Sequence, residues 1–322
     1  MKRILASLLL GAWVAASPVV ALDEYPAKAV KLVVPFPPGT PPDIIGRLAA
    51  QKMAEGLGQQ ILVENRPGAA GTIGADAVAK SSADGYTLLL GTTGSLASAP
   101  SLYPKIGYDA VTSFAPISRL SNSVFLVVVH ASVGANSLQE LIEVAKAKPG
   151  QLAFGSGGNG NPIHIAGEMF KAAAGVDLLH VPYGSHTSPF QDFAAGRTQV
   201  MVEQLPSLYS YIRSGNLRAL AVAGPKRLAQ LPGVPTVAEA GLPGYEVSVW
   251  TGLLAPASTP SEVVRRLNAE VQKALGSAEI QESFGRLGIE AAGNTPADFA
   301  DLIRGDSAKW SRAIRLSGAK VD

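Results

Sequence analysis

The chain has 322 residues, a formal net charge of +2 and no cysteine. The lack of cysteine excludes disulfides, thiolate chemistry and most structural zinc sites. The small net charge gives no electrostatic support to nucleic-acid binding, so we expect no nucleic-acid partner. The length suits two domains, each with its own core, at the usual size of about 150 residues a domain.

The N-terminus has the pattern of a secretory signal. Lys2 and Arg3 precede an apolar run over residues 4–20, and the small residues Val19 and Ala21 predict cleavage after Ala21. An uncut membrane anchor is the alternative, but the run is short for a spanning helix and lacks basic residues on its far side. We therefore predict a signal peptide over residues 1–21 and a periplasmic mature protein.

Short apolar runs alternate with helical patterns in the first third of the chain. This alternation indicates βαβ units around a parallel sheet. A second α/β block begins near residue 125, and two amphipathic helices are expected to end the chain. In this first third, strands are predicted over residues 32–34, 61–63 and 87–90, and a helix is predicted over residues 44–53.

Two extended segments, near 125–129 and 247–254, are the expected crossings between two lobes. With these crossings, lobe I is predicted over 22–124 and 250–322, and lobe II over 125–249. Two lobes joined by two strands form a hinged clamp, which would close over a ligand.

Four predicted helix starts share one pattern. Thr40, Ser137, Thr259 and Thr295 are each followed three residues later by an acidic residue. This spacing is typical of capping boxes, so these four residues are predicted N-caps.

The segment 155–160 matches the dinucleotide-binding pattern GxGxxG, and Asp177 follows at about the expected distance. Two features argue against a dinucleotide. The helix begins only at Asn161 and Pro162, after the last glycine, and Asp177 precedes its strand. The other interpretation is a glycine loop whose free amides form an anion site at a helix N-terminus. The loop over 35–40 has the same form, so the two loops favour a shared anion cleft.

Catalytic signatures are weak in this sequence. It has no GxSxG nucleophile elbow, and none of its histidines stands in a recognisable triad signature. His164 and His180 are interpreted as core histidines, whereas His186 lies in a polar loop where it could contact a ligand. His130 completes the set of four histidines, which show no metal-ligand spacing. We therefore expect no enzymatic activity, no metal and no cofactor.

Several ordered blocks run along nearly the whole predicted mature chain. They are 33–37 through Asp43, 63–68, 84–89, 145–150, 155–164, 180–183, 217–222 and 235–241. These blocks resemble the Bug family, the substrate-binding proteins of tripartite tricarboxylate transporters. The resemblance implies a type II periplasmic-binding-protein fold, an α/β fold of two lobes joined by two crossing strands. It also implies capture of a small organic carboxylate and its delivery to a membrane permease.

The loops and the resemblance together give an expected ligand site. A sensor kinase is an alternative partner to the permease, and a monomer is the expected state of a two-lobe clamp. The expected ligand-binding residues are Phe36, Pro38, Gly39, Thr40, Asp43, Thr92, Ser156, Gly157, Gly158, Asn159, Gly160, Asn161, Tyr183, His186 and Glu203.

This chain departs from the family pattern in its first ligand loop and at Glu203. Pro41 and Pro42 remove amide donors near the expected carboxylate. Glu203 occupies a position that in the family can face the far end of the ligand, where an acid would repel a second carboxylate. The hypothesis that follows is a monocarboxylate ligand with a polar or cationic far end; a solvated Glu203 outside the pocket is the alternative.

Overall fold

The computed structural model describes residues 25–103, 105–183 and 188–319. The predicted signal peptide and His186 lie outside the described residues, so both stay predictions. No helix within the described ranges is long and apolar enough to span a bilayer.

The described strands form one mixed sheet that bends into two halves. The strands are β1 (Val30–Val34), β2 (Ile61–Asn65), β3 (Thr87–Thr92), β4 (Phe114–His130), β5 (Ala153–Ser156), β6 (Leu179–Pro182), β7 (Val200–Gln204), β8 (Leu217–Val222), β9 (Ser248–Pro256) and β10 (Glu290–Ala291). The helices are α1 (Pro41–Leu57), α2 (Thr72–Ala79), α3 (Ala99–Leu102), α4 (Leu138–Ala147), α5 (Pro162–Ala174), α6 (Ser188–Ala194), α7 (Leu205–Arg213), α8 (Ser261–Leu275), α9 (Ala278–Arg286) and α10 (Pro296–Ser317).

The long strand β4 belongs to both halves of the sheet. Its first part pairs with β9 and β10 in the lobe I sheet, whose order is β2-β1-β3-β9-β4. Its last residues, from Phe125, pair with β7 and β8 in the lobe II sheet. The sheet therefore changes from one lobe to the other at the crossing segment predicted from sequence. The predicted βαβ units are parallel at β1–β2 and β1–β3, whereas β9 joins them antiparallel.

Each lobe sheet is covered by helices on both faces. In lobe I, α1 and α8 cover one face through residues such as Ile45 and Leu267, while α2 and part of α10 cover the other. In lobe II, α4 and α5 pack on one face and α6 and α7 on the other. Burial of both faces explains why residues 88–90 of β3 and 125–129 of β4 are apolar runs without alternation.

Helix α10 packs on both lobes. Phe299 and Ile303 lie in the lobe I core, while Trp310 and Ile314 lie in the main lobe II core. The predicted lobe boundaries at 124/125 and 249/250 stay a prediction, and α10 is a third connection beside the two crossing strands. The expectation of two C-terminal helices was wrong: three are present, because the chain breaks at Gly276 and Ser277 caps α9.

Three of the four predicted N-cap residues hold that position. The side chains of Ser137 and Thr295 accept hydrogen bonds from the N–H groups of Glu140 and Asp298. Thr40 is the N-cap residue of α1, but its hydroxyl donates to the carbonyl of Pro37 and makes no capping bond. Thr259 donates to the carbonyl of Pro256 and is not the N-cap of α8, so for this residue the prediction was wrong. Prolines follow Thr40 and Thr259, and Thr259 precedes a helix whose cap position is Pro260 itself.

Candidate ligand-binding cleft

A cleft of about 460 Å³ lies between the two lobes. Its walls come from the loops after β1 and β3 in lobe I, the glycine loop after β5 in lobe II, and the crossing strands β4 and β9. Strand ends of this kind are where open α/β sheets bind ligands. The lining residues are Phe36, Pro37, Thr40, Pro41, Pro42, Ile45, Ala70, Thr92, Thr93, Gly94, Ser98, Leu102, Tyr103, Ser121, Ser123, Phe125, Gly157, Asn159, Gly160, Asn161, Pro162, Ile163, Gln204, Val249, Trp250 and Thr251.

Part of the predicted site is assembled at this cleft. The predicted residues that line it are Phe36, Thr40, Thr92, Gly157, Asn159, Gly160 and Asn161. Those that lie outside its lining are Pro38, Gly39, Asp43, Ser156, Gly158, Tyr183 and Glu203. The two glycine-containing loops therefore meet across one cleft, as their duplication suggested. Direct ligand contact by each of these residues, and by His186, stays a prediction.

None of the described residues that line the cleft carries a formal charge. The lining consists of hydroxyl and amide side chains, glycines, prolines and apolar side chains. A carboxylate in this cleft would be held by neutral donors, because no charged side chain lines the described walls. Such donors satisfy an anion in a desolvated site when they are already oriented.

The crossing strands add hydroxyl groups that were not predicted from the sequence. Ser121 and Ser123 alternate on β4 and line the cleft, and Ser121 Oγ lies 2.7 Å from Thr251 Oγ1 on β9. The period of two was a usable signal for a shared face. The pairing of Ser121 with Thr251 could not be predicted from the sequence, because the two residues are 130 positions apart.

Asp43 supports the first ligand loop from within the protein. Its Oδ2 accepts the N–H of Gly39 at 2.9 Å, and its Oδ1 accepts the Asn65 amide at 2.8 Å. Burial alone would raise the pKa of Asp43, but the hydrogen bonds from Arg47, Asn65 and Gly39 outweigh it and hold that pKa below its usual value. The carboxylate is therefore charged and occupied by its own loop, which it shapes for the cleft.

The turn after β3 is fixed by reciprocal hydrogen bonds. Ser95 N–H donates to Thr92 Oγ1, and Thr92 N–H donates to Ser95 Oγ, both at 3.1 Å. Thr93 Oγ1 accepts the N–H of Trp250 from the crossing strand β9 at 2.9 Å. These buried bonds order this wall of the cleft, since each satisfies a polar group that is removed from water.

The glycine loop after β5 uses two of its own amides. The N–H of Gly160 donates to His164 Nδ1 at 2.9 Å, and the N–H of Gly158 donates to Ser156 Oγ at 3.3 Å. The expectation that the amides of this loop are free is therefore wrong for Gly158 and Gly160. Asn161, where the helix was predicted to begin, caps α5 by accepting the N–H of His164 at 3.0 Å.

Tyr183 and Glu203 lie beside the cleft in different surroundings. Tyr183 packs next to Gly155, and its hydroxyl donates to Asp192 at 2.6 Å. Glu203 is completely buried, and its partner on the same sheet face is Leu126. Gln204, the next residue, faces the opposite side and lines the cleft. This placement gives no support to the hypothesis that Glu203 faces the far end of the ligand.

The Glu203 carboxyl is poorly satisfied. Its Oε1 accepts the N–H of Gln204 at 2.7 Å, and its Oε2 has no hydrogen-bond partner among the described residues. Burial raises the pKa of Glu203 to about 8, although the bond from Gln204 opposes the shift. The side chain is therefore neutral in the folded protein at pH 7.

The segment 68–71, which was not predicted to contact the cleft, has a left-handed backbone. Gly68, Ala69, Ala70 and Gly71 all have positive φ, with values of 45° at Ala69 and 53° at Ala70. Left-handed backbone costs a residue with a Cβ roughly 1–2 kcal/mol. Ala70 lines the cleft, so the strain lies at its edge.

We expect Ala70→Gly to stabilise the protein by about 0.5–1 kcal/mol, because glycine adopts this backbone without steric cost. Urea unfolding measures the change. Ala77→Gly, in the interior of α2, is the control, and it should destabilise by about 1 kcal/mol because glycine weakens helices. An Ala70→Gly protein as unstable as the control would contradict the assignment of strain.

A two-lobe α/β fold with a ligand-sized cleft between the lobes defines the class of type II periplasmic solute-binding proteins. Comparison with known proteins assigns the family. The model of the tripartite tricarboxylate transporter family receptor matches residues 45–318. The chain belongs to this family, as the sequence blocks indicated, and it is therefore a receptor and not an enzyme.

Individual relatives agree with the family match. A UPF0065 protein in the tcbD-tcbE intergenic region of Pseudomonas sp. strain P51 is 40% identical, over 97% of this chain and 93% of its own. Protein BugT of Bordetella pertussis is 35% identical, over 100% of this chain and 99% of its own. The structure of R. palustris Rpa4515 with adipate is 36% identical with a TM-score of 0.81, and the match covers 92% of this chain and 99% of that one.

Proposed function

We propose that this protein captures a small organic carboxylate in the cleft between its lobes and delivers it to a membrane transporter. The observation that carries the proposal is a cleft with neutral hydrogen-bond donors from both lobes, at a loop that leads into the N-terminus of α5. The adipate bound to a relative with the same fold supports a carboxylate ligand. Membership in a transporter receptor family supports the delivery step.

The location and assembly state are part of the proposal. The pattern over residues 1–21 supports export by a cleaved signal peptide, and the family of periplasmic receptors supports the periplasm as destination. The receptor acts as a monomer that closes over its ligand like a flytrap. A membrane sensor kinase would recognise the same closed form, so loss of carboxylate uptake on deletion of the gene separates transport from sensing.

A thermal-shift screen of the mature protein tests ligand capture. The panel contains mono-, di- and tricarboxylates, aromatic acids and amino acids, with adipate compared against adipamide as the matched uncharged control. A ligand at about 100 times its Kd adds roughly 2.7 kcal/mol, which moves the midpoint by several degrees. We expect at least one acid to stabilise the protein while its amide does not. No response to any acid would contradict the proposal.

A further inference from the structure

Two stacked histidines lie behind the glycine loop. The rings of His164 on α5 and His180 on β6 are nearly parallel, at 8°, with centroids 3.8 Å apart. Phe154 also stacks on His180, with centroids 4.9 Å apart, and its ring lies 6.4 Å from that of His164. His164 is 5% exposed, and neither histidine lines the cleft. The pair therefore touches the loop from the protein side.

Hydrogen bonds assign the proton of His164. Because a backbone N–H only donates, the bond from Gly160 to Nδ1 requires that this nitrogen is unprotonated. The neutral ring then carries its proton on Nε2, which lies 4.0 Å from Glu168 Oε1. A second proton on the ring would occupy Nδ1 and break the bond to Gly160.

Ser156 links His180 to the start of the loop. Ser156 Oγ accepts the N–H of Gly158 and lies 3.1 Å from Gly158 O. His180 Nε2 lies 2.7 Å from the same Oγ, and the tautomer of the ring sets which of the two atoms donates. His164 and His180 therefore each support one end of the loop.

The surroundings of the pair disfavour a positive charge. The charged groups that face it are Glu168 and Lys171, both on α5 and joined by an ion pair of 3.0 Å. Burial, with the charge of Lys171, lowers the pKa of His164 to about 4. Burial, His164 and Lys171 together lower the pKa of His180 to about 4. Two rings in van der Waals contact would also repel each other if both were charged.

We propose that His164 and His180 are positioning residues that hold the glycine loop in its ligand-binding conformation, and that a proton on His164 releases the loop by breaking the Gly160 bond. The inference rests on the proposed function, since it assigns to this pair the regulation of the same cleft. Ligand affinity then falls with acidification, through a change in loop order rather than through a charge in the cleft.

Two substitutions at one position separate the hydrogen bond from ring packing. His164→Asn keeps an acceptor oxygen near the place of Nδ1, whereas His164→Leu fills the space without an acceptor. Hydrogen–deuterium exchange of the peptide over 155–161 reports loop order, and exchange in the core strand β4 reports global unfolding. Calorimetric titration with adipate between pH 4 and pH 8 reports affinity.

We expect His164→Leu to speed hydrogen–deuterium exchange of the loop relative to β4 by about tenfold or more. Adipate binding should weaken by a similar factor, because the buried N–H of Gly160 is left without an acceptor. His164→Asn should stay within about threefold of wild type at pH 7. Between pH 6 and pH 4 its affinity should fall less than that of wild type, because only the fall caused by protonation of adipate itself remains. Equal losses in both variants, or unchanged loop exchange in His164→Leu, would overturn the proposal.

The role of the histidines can still be tested if the His164→Leu variant does not fold or if adipate is not a ligand. If His164→Leu does not fold, nitrogen chemical shifts of the wild-type histidines decide, because an Nδ1–H form of His164 overturns the proposal. If no acid in the panel binds the wild-type protein, the proposed function fails. Loop exchange in the two variants still decides the positioning role.

Discussion

Replacing Glu203 by glutamine should stabilise the protein at neutral pH by about 3 kcal/mol, since each pKa unit between the folded and unfolded states corresponds to about 1.4 kcal/mol. The carboxyl is completely buried, and burial raises its pKa from 4.5 to about 8. The folded protein therefore keeps a proton that the unfolded chain releases. Glutamine has nearly the same shape and carries no such proton, while its Oε1 can still accept the N–H of Gln204.

The dependence on pH follows from the direction of the shift. Between pH 4.5 and pH 8 the folded state binds more protons at Glu203 than the unfolded state does, so this residue lowers stability as the pH rises through that window. The buried histidines act in the opposite direction at lower pH. Their pKa values fall from 6.5 to about 4, so their contribution to stability is lost as the pH falls through that range.

Urea unfolding at pH 5 and pH 8 measures the effect of Glu203. The stability of Glu203→Gln relative to wild type should rise between pH 5 and pH 8, because the opposing histidine contribution is the same in both proteins. Glu270→Gln is the matched control, because Glu270 is also buried but has an ion pair with Arg266 at 2.8 Å. The control should gain nothing. A Glu203→Gln protein that is less stable than wild type at pH 8 would contradict the assignment of an unpaired, protonated carboxyl.

Replacing Gly160 by alanine should weaken ligand binding by about tenfold or more, which corresponds to about 1.4 kcal/mol. Gly160 has a φ of +75° in the glycine loop, and an added Cβ would lie 2.7 Å from Leu102 Cδ2. Leu102 belongs to α3 of lobe I, and its side chain is buried. Either the Leu102 side chain would have to shift within its buried position, or the loop and α3 would have to move apart. Both changes disturb the cleft wall that Leu102 and Gly160 line.

The control for Gly160→Ala is Gly134→Ala. Gly134 has a φ of +76°, and an added Cβ there meets no atom within 4 Å. Both substitutions therefore carry the same backbone strain, but only the one at 160 disturbs the cleft. We expect similar losses of stability from strain, and a loss of affinity in Gly160→Ala alone, measured by titration with the acid found in the screen. Equal affinity in the two variants would show that the cleft wall tolerates the added Cβ.

The sequence determined the features that depend on neighbouring residues. The start of α5 at Asn161 and Pro162 was predicted from the sequence. The caps at Ser137 and Thr295 were predicted from an acid three residues later, a signal that failed at Thr259. The two loops that form the cleft were predicted because each contains glycine and leads from a strand into a helix. These signals are local: the hydrogen bonds that they predict join residues within one turn of helix.

Only the tertiary structure decided which groups lie in the cleft and which lie behind it. Glu203 and Gln204 are adjacent in sequence but face opposite sides of β7, and the pairing of β7 with β4 determines which side meets the cleft. Ser121 meets Thr251, and His180 reaches Ser156, across separations that no local pattern records. Burial and partners depend on this long-range packing, and they decide whether an amide, a histidine or a carboxyl is available to a ligand.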